Sequence, residues 1–475
     1  MISTSLFSCQ KNGSDFQPKP NILFVFADDQ RAGTIRHLGN SEILTPNLDK
    51  LAQEGSSFSN AYIMGSYSGA VCQPSRAMLL SGKYLNNLHK KGAVLPENHV
   101  LIGECLENAG YNTYGIGKYH NDPASFARCF DNGQDIYFGG MYDQWNVPLH
   151  HYESISDFKK FNRPVLKNYR QSNELTYAQG DYVYSGQHST DIFTKGAINY
   201  IKNYDNENPF FLYVALMTPH DPRSTHQEYF DLYDTANISL PPNFMPQHPF
   251  DNGELNVRDE KIASFPRTPQ EIKEHIRDYY ALISHNDRKL GEIIKALKDK
   301  NLYDNTIIIY SGDNGLAVGQ HGLMGKQNLY EHSTNVPLLI SGKGIPKNQE
   351  VNSLCYLTDL YPTLCEMLEI PVPESVDGES FLSALQFGYE HREYLITAYR
   401  QFQRAIRNDR YKLIEYRVKG KDNQQLFDLK NDPWELVDLS EAPELQDTKA
   451  LLQKNLKSGL EELNDQQWNK TKRSK

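Results

Sequence analysis

The amino-acid sequence predicts an α/β protein: a large, mostly parallel or mixed sheet sandwiched by helices, followed by a smaller antiparallel sheet with one helix. Three observations carry that expectation. Several short segments are almost continuously apolar, as strands buried on both faces must be. Segments of helical periodicity lie between them, and several close on glycine. After about Leu385 the texture changes to short strands with polar turns and one closing helix.

In chain order, "NILFVFADD" (Asn21 to Asp29) is the first buried strand. "PNLDKLAQEG" reads as a helix stopped at Gly55, and "LIGECLENAGY" as one stopped at Gly110. "VCQPSRAMLLSG" runs from Val71 to Gly82. It reads as a helix with Pro74 in its first turn and Gly82 as its stop. "PFFLYVALMTPH" (Pro209 to His220), "NTIIIYSGDNG" (Asn305 to Gly315) and "VPLLISG" (Val336 to Gly342) are further strands. The longest helix spans about Pro269 to Lys300, with Ile272, Ile276, Tyr280, Ile283, Leu290, Ile294 and Leu297 near a 3.6-residue period. "REYLITAYR", "RAIRNDRYKLIEYR" and "QQLFDLKNDPWELVDLS" read as C-terminal strands, and Leu452, Leu456, Leu460 and Leu463 form one stripe of the closing helix. The expected organisation is a leader and linker over residues 1–20, a large domain over 21–385 and a C-terminal subdomain over 386–475.

Composition narrows the function classes. Hydrophobic residues make up 39% and charged residues 23%, which suits a folded chain with a large core. Net charge is −10, so no global positive field gathers a polyanion, and nucleic acid is not an expected partner. The six cysteines match no zinc spacing, and a chain of 475 residues needs no disulfide framework. No apolar run is long enough to predict a membrane-spanning helix. "LFSC", ending at Cys9, resembles the end of a bacterial lipoprotein signal, although the basic and most of the apolar region of such a signal is missing. This predicts an exported protein of the periplasm or cell surface, lipid-anchored if Cys9 is the modified residue.

Two strands end in acidic pairs, Asp28–Asp29 and Asp313–Asn314. Ligands of open α/β sheets bind outside the carboxyl ends of strands. Each pair alone could cap the next turn. Two pairs at equivalent ends point to a cation, and oxygen ligands select calcium or magnesium over zinc. "MTPHDPR" places His220 and Arg223 at a third strand end. "YGIGKYHN" sets Lys118 and His120 two apart, either on one side of an extended segment or in a surface loop. "GLAVGQHGLMGKQNLYE" holds His321 and Lys326 in a Gly-rich loop. Cys72 falls at a helix N-terminus, which with Arg76 lowers a thiol pKa, although core packing is the commoner fate of an isolated cysteine.

C-x-P-S-R followed by "AMLLSG" resembles the signature of type I sulfatases of the alkaline-phosphatase-like superfamily, whose cysteine becomes Cα-formylglycine. "KPNILFVFADDQ", "TPNLDKLAQEG", "GYNTYGIGKYH", "PFFLYVALMTPHDP", "SGDNGLAVGQHG", "TDLYPTLCEML" and "LFDLKNDPWE" resemble that family's segments in its order, most like bacterial polysaccharide sulfatases. Ser81 stands where Thr is commoner, and Tyr119 where Trp is. The resemblance implies one Ca2+ held by Asp28, Asp29, Asp313 and Asn314, with residue 72 completing the shell. It implies that residue 72, as an aldehyde hydrate, attacks sulfur, with Asp313 as base, Arg76 steadying the hydrate and His120 taking the second hydroxyl's proton. Lys118 and Lys326 would bind sulfate oxygens, and His220 would serve the departing sugar oxygen. The implied partners are a sulfated oligosaccharide, from ulvan, carrageenan or a glycosaminoglycan, and a formylglycine-generating maturation enzyme. Arg223, Arg258, His321 and Arg404 are candidate substrate contacts. Three other readings stay open here: a phosphonate monoester or phosphodiester hydrolase of the same superfamily, a surface lipoprotein that only binds sulfated glycans, and a sulfatase left inactive because Cys72 is not converted.

Overall fold

The computed structural model describes residues 19–152, 162–166 and 174–470; Cys9 lies outside them. Its main sheet has eight strands, in the order Gln349–Val351, Gly55–Phe58, Leu338–Ser341, Thr306–Gly312, Asn21–Asp28, Phe210–Pro219, Asn112–Lys118 and Asn132–Tyr137. The last five are mutually parallel. Leu338–Ser341 runs antiparallel to both neighbours, which makes the sheet mixed.

The apolar runs are buried on both faces. Along Asn21–Asp28 and Phe210–Pro219 every residue is buried. Alternate side chains go to opposite faces. Phe24, Phe26, Phe211 and Tyr213 join the core that contains Ala77, Met78 and Leu79 of the Cys72–Ser81 helix. Leu23, Val25, Leu212 and Val214 meet Ile192 and Phe193 of helix Ser189–Asn203, and Leu290 and Ile293 of helix Pro269–Asp299. A fully buried side chain of this size contributes roughly 1.5–3 kcal/mol, so burial on both faces holds the central strands firmly.

The long helix begins where the sequence places it. Pro269 occupies its first turn, and the Thr268 side chain accepts from the Glu271 N–H. Gly82 and Gly110 take positive φ, 66° and 90°, as helix stops do. Gly55 differs. The helix Pro46–Gln53 ends at Glu54, and Gly55 already lies in a strand. A Cβ there would meet the Ile340 carbonyl oxygen at 2.2 Å, so close strand approach, and not a helix stop, requires the glycine.

The C-terminal sheet has the order Lys421–Asp428, Tyr411–Val418, Gln403–Arg407, Leu395–Tyr399 and then Gly65–Ser66. That last strand comes from the large domain, so backbone pairing crosses the boundary expected at residue 385. Leu452, Leu456 and Leu460 of helix Gln446–Glu462 pack on Ile396, Ile406, Leu413 and Leu426. The segment after Asp428 that carries Trp434 is turns, not strand.

Arg404 departs from its expected role as a substrate contact. Its strand is buried along its whole length. Arg404 Nε and Nη2 donate to the Asp465 carboxylate at 2.6 and 3.1 Å, and Nη1 to the Arg400 and Gln403 carbonyls. The guanidinium fastens the sheet to the turn after the closing helix and is not presented to a ligand. Asp465→Ala leaves this charge buried and unpaired, and is expected to lower unfolding free energy by about 3–5 kcal/mol. Urea titration of the two proteins checks it; an unchanged midpoint would mean the pair carries no net stability.

Candidate active site

Four adjacent parallel strands deliver their carboxyl ends to one edge of the sheet. Asp28 and Lys118 are the last residues of their strands, and Asp313 and His220 follow theirs immediately. Asp29 takes a left-handed φ of 66°. That turn is tied down by Tyr279, whose hydroxyl donates to the Asp29 carbonyl at 2.5 Å and accepts from the Arg31 N–H at 3.1 Å. The second contribution comes from the Cys72–Ser81 helix. Residues four apart share one helix face, so the C-x-P-S-R spacing sets Cys72 and Arg76 side by side.

The groups then interlock. Arg76 Nε donates to Asp313 Oδ2 at 2.8 Å, and Nη1 to the Lys118 carbonyl at 2.6 Å. The Asp29 N–H donates to Asp313 Oδ1 at 3.0 Å. Lys118 Nζ pairs with Asp28, and Lys326 Nζ lies 2.5 Å from Asp29 Oδ1. Both lysine nitrogens are 3.8 Å from Cys72 Sγ. His120 Nδ1 is 3.3 Å from the same sulfur. His220 Nε2 is 3.5 Å from Asp29 Oδ2, and its Nδ1 is 2.8 Å from the Asp221 carbonyl. The structure therefore brings Cys72, Arg76, Lys118, His120, His220, Lys326, Asp28, Asp29, Asp313 and Asn314 into one buried cluster.

Burial and neighbouring charge set the protonation states. Burial, with repulsion from Asp28, pushes Asp313 up to about 7. Burial acts upward on Asp29 too, but His220 and Lys326 draw it down to about 2. Burial opposes the charge of Lys326, yet Asp29 holds that ammonium well above the usual lysine range. Burial, then Lys118, Arg76 and Lys326, hold His120 well below its ordinary value, so its ring is neutral. Cys72 goes against the expected lowering: burial raises its thiol to about 11, and the two lysines only partly offset this. The reason is geometric. The residue begins the helix while lying in the interior, 2% exposed, with Asp28 and Asp313 nearby.

The cluster fits an oxygen-seeking cation. Asp28 Oδ1 and Asn314 Oδ1 are buried with no hydrogen-bond partner. The Asn314 amide nitrogen is committed to Asp29 Oδ1 at 2.7 Å and to the Gly315 carbonyl at 2.9 Å. Asp28, Cys72 and Asp313 present potential ligand atoms within 4.8 Å of one another. Bare buried oxygens are costly and rare; a hard cation among them removes that cost.

The remaining candidates separate. Arg258, its side chain 46% exposed, pairs with Asp221 and Asp259 and so stands beside His220. Arg223 Nη1 is 3.2 Å from His275 Nδ1, and its guanidinium lies over Tyr279. His321 is buried, stacked on Tyr330 with centroids 4.0 Å apart and bonded to Asn243. Those contacts take it out of the role of substrate contact that its Gly-rich loop suggested. Sequence reasoning missed Tyr279 and Asp221. Asp221 sits within "MTPHDPR" and was legible as a strand-end acid. Tyr279 lies in mid-helix, where nothing in the sequence marks a residue that grips a distant loop.

The sulfatase family profile matches residues 20–370, well over half of the chain. The chain belongs to the sulfatase family. It is a sulfuric ester hydrolase. A second profile, the C-terminal part of N-sulphoglucosamine sulphohydrolase, matches residues 319–465. The ulvan-active sulfatase of Formosa agariphila is 28% identical over 98% of this sulfatase and 87% of its own length. A crystal structure assigned as a sulfatase of Bacteroides fragilis superposes with a TM-score of 0.73 at 26% identity, covering 97% of this chain and 99% of its own. The phosphonate monoester hydrolase of Agrobacterium radiobacter also gives 0.73, at 20% identity over 94% and 96%, a likeness of fold alone.

The thiols give a direct check on the electrostatics. Cys105 is partly exposed, its Sγ lies 3.8 Å from Cys365 Sγ, and a hydrogen bond between the two thiols lowers the first ionisation of the pair. The thiolate is the reactive form. In protein whose Cys72 is unconverted, iodoacetamide at pH 7.5 is expected to label Cys105 well before Cys72, read by peptide mass mapping. Preferential labelling of Cys72 would mean that its surroundings are more open and more positive than described.

Proposed function

We propose that this sulfatase removes sulfate from a carbohydrate, with residue 72 acting as Cα-formylglycine beside one Ca2+. The observation that carries the reading is the convergence of Lys118, Lys326, His120 and Arg76 on the Cys72 side chain, with two unpartnered oxygens close by. As an aldehyde hydrate, residue 72 supplies two hydroxyls, one to attack sulfur and one whose deprotonation releases sulfate. A Ca2+ ion held there would supply charge neutralisation among the carboxylates and Lewis-acid polarisation of sulfate.

The chain's own residues account for the rest. Asp28, Asp29, Asp313 and Asn314 would hold the cation. Lys118 and Lys326 are placed to take sulfate oxygens, where positive charge is worth most as the transition state forms. Asp313, oriented by Arg76, lies beside residue 72 and would take the attacking hydroxyl's proton. Neutral His120 can take the second hydroxyl's proton. His220 Nδ1–H donates to the Asp221 carbonyl, and Nε2 faces Asp29 Oδ2 at 3.5 Å. Burial disfavours the doubly protonated ring and Asp29 favours it, and in that form Nε2–H would serve the departing sugar oxygen.

A carbohydrate substrate is supported by the ulvan-active relative and by the match to the C-terminal part of N-sulphoglucosamine sulphohydrolase. The exposed Arg258 and the neighbouring Arg223 are the substrate-side cations of this reading. No described helix is long and apolar enough to cross a membrane. We place the protein in the periplasm or at the cell surface, where polymer-derived oligosaccharides are met, with Cys9 as the residue for a lipid anchor and a formylglycine-generating enzyme as its maturation partner.

Two experiments test this reading. Protein made together with the maturation enzyme should release sulfate from defined sulfated oligosaccharides with a higher kcat/KM than it shows on an aryl phosphonate. The Cys72 peptide of the same sample should carry an aldehyde. Faster phosphonate turnover, or full sulfatase activity with every Cys72 still a thiol, would overturn it. The second experiment compares leaving groups. General acid catalysis supplies about 10²–10⁴-fold, and a sugar hydroxyl needs the proton far more than a nitrophenolate does. His220→Ala should cut kcat/KM severely on the sugar and much less on nitrophenyl sulfate, whereas Lys118→Ala should damage both alike. Equal losses for His220→Ala on both substrates would remove His220 from that role.

A further inference from the structure

A second concave region lies apart from the catalytic cluster. Cavities of about 290 and 240 Å3 meet at Arg31, Gly33 and Trp434, and no residue of the catalytic cluster lines either. The smaller is walled by Asn243, Gln320, His332 and Asn335, together with Glu331 and Glu435. Six of the lining side chains carry buried polar atoms without a hydrogen-bond partner: Arg31 Nη1, Gln320 Nε2, both ring nitrogens of His332, Asn243 Oδ1, Asn335 Oδ1 and Glu435 Oε1, the last of them ion-paired with Lys412. Such atoms are rare singly, and here they share one cavity.

Their orientations are fixed by the bonds they do make. Gln320 Oε1 accepts from the Val318 N–H at 2.5 Å, which leaves its nitrogen bare. Asn243 Nδ2 donates to the Trp434 carbonyl at 2.8 Å, and Asn335 Nδ2 to the Ser59 carbonyl at 3.1 Å, which leaves both amide oxygens bare. Arg31 is 8% exposed, forms no ion pair among the described residues, and lies over the Tyr279 ring. Glu331 and Glu435 do not neutralise it, because Lys412 lies 2.9 Å from both and Arg407 lies 3.3 Å from Glu331, so two cations already balance the two carboxylates. A buried guanidinium without a counter-charge is strongly unfavourable, and an incoming oxyanion would relieve it.

The lining also selects among ligands. His321, His332 and Glu435 stand close enough to share a cation. Arg31 and Lys412 both add positive charge at His332, and Glu435 is already committed to Lys412, so a cation is disfavoured. A bare inorganic anion would satisfy Arg31, Gln320 and His332 but would face the lone pairs of Asn243 Oδ1 and Asn335 Oδ1. A hydroxylated anion satisfies both sets. Trp434, 44% exposed and common to both cavities, offers an apolar face at the rim, against which the C–H face of a pyranose can pack.

We infer that this cavity binds an acidic sugar unit, with its carboxylate or sulfate on Arg31, Gln320 and His332 and its hydroxyls on Asn243 and Asn335. The inference is independent of the reaction at residue 72. Crystals of the full chain soaked with glucuronate test it, with a parallel soak in selenate, whose selenium is located by its anomalous scattering. Glucuronate is expected in the cavity with its carboxylate at Arg31. Arg31→Met should weaken that binding at least tenfold and melt no lower than the parent, because it removes an unpaired charge. Trp434→Ala, at an exposed position, should weaken glucuronate binding without lowering the melting temperature. Water alone in the cavity after the glucuronate soak would overturn the inference. So would selenate binding without glucuronate, a metal ion at His321, His332 and Glu435, or undiminished glucuronate binding by Arg31→Met.

Discussion

Asp28, Asp29 and Asp313 repel one another across a few ångströms of protein interior, where water cannot screen them. Left alone, three ionised carboxylates in such a place would cost more than a folded chain can spare. The molecule answers with three cations drawn from three different segments: Arg76 from a helix, Lys118 from a strand end and Lys326 from a loop. Each grips a different carboxylate most closely. The balance is incomplete, as the raised Asp313 and the bare oxygens of Asp28 and Asn314 show. That residual imbalance is what a further cation, as proposed, would relieve.

The fold makes this assembly affordable. Parallel strands buried on both faces leave their carboxyl ends as the one place where polar groups can gather. The strong central strands hold the acids at fixed spacing, and the cations are then brought in by elements that pack on the sheet. The Cys72–Ser81 helix is the clearest case. Its apolar residues join the core while Cys72 and Arg76, one turn apart, meet the sheet edge together. The same density explains why the Cys72 thiol is quiet. Positive neighbours and a helix start favour a thiolate, but removal from water outweighs them. Burial therefore favours the protonated thiol of an unconverted Cys72.

Much of this was legible in the sequence because strand-end residues are adjacent in sequence to the apolar runs that bury them. Asp28, Asp313 and His220 each follow such a run directly, so finding the strand finds the residue. Lys118 and His120 were marked by motif, while their burial was not. What escaped depends on contacts between distant segments. Gly55 looks like a helix stop until the neighbouring strand is present. Arg404 has the sequence context of a surface cation, yet its strand is covered on both sides and Asp465 lies sixty-one residues away. Tyr279 is one aromatic among several on a long helix, and its grip on the Asp29 carbonyl spans 250 residues. Local pattern carries no information about such pairings.

The account rests on the carboxylate cluster being a cation site. Calorimetric titration of mature, metal-stripped protein with Ca2+ tests this most directly, with Asp28→Asn and Asn314→Ala alongside. One ion per chain is predicted for the parent protein, with binding greatly weakened in both variants and sulfate release restored only as the site fills. Undiminished sulfate release by the metal-stripped parent in excess chelator, with no heat of binding on adding Ca2+, would contradict it.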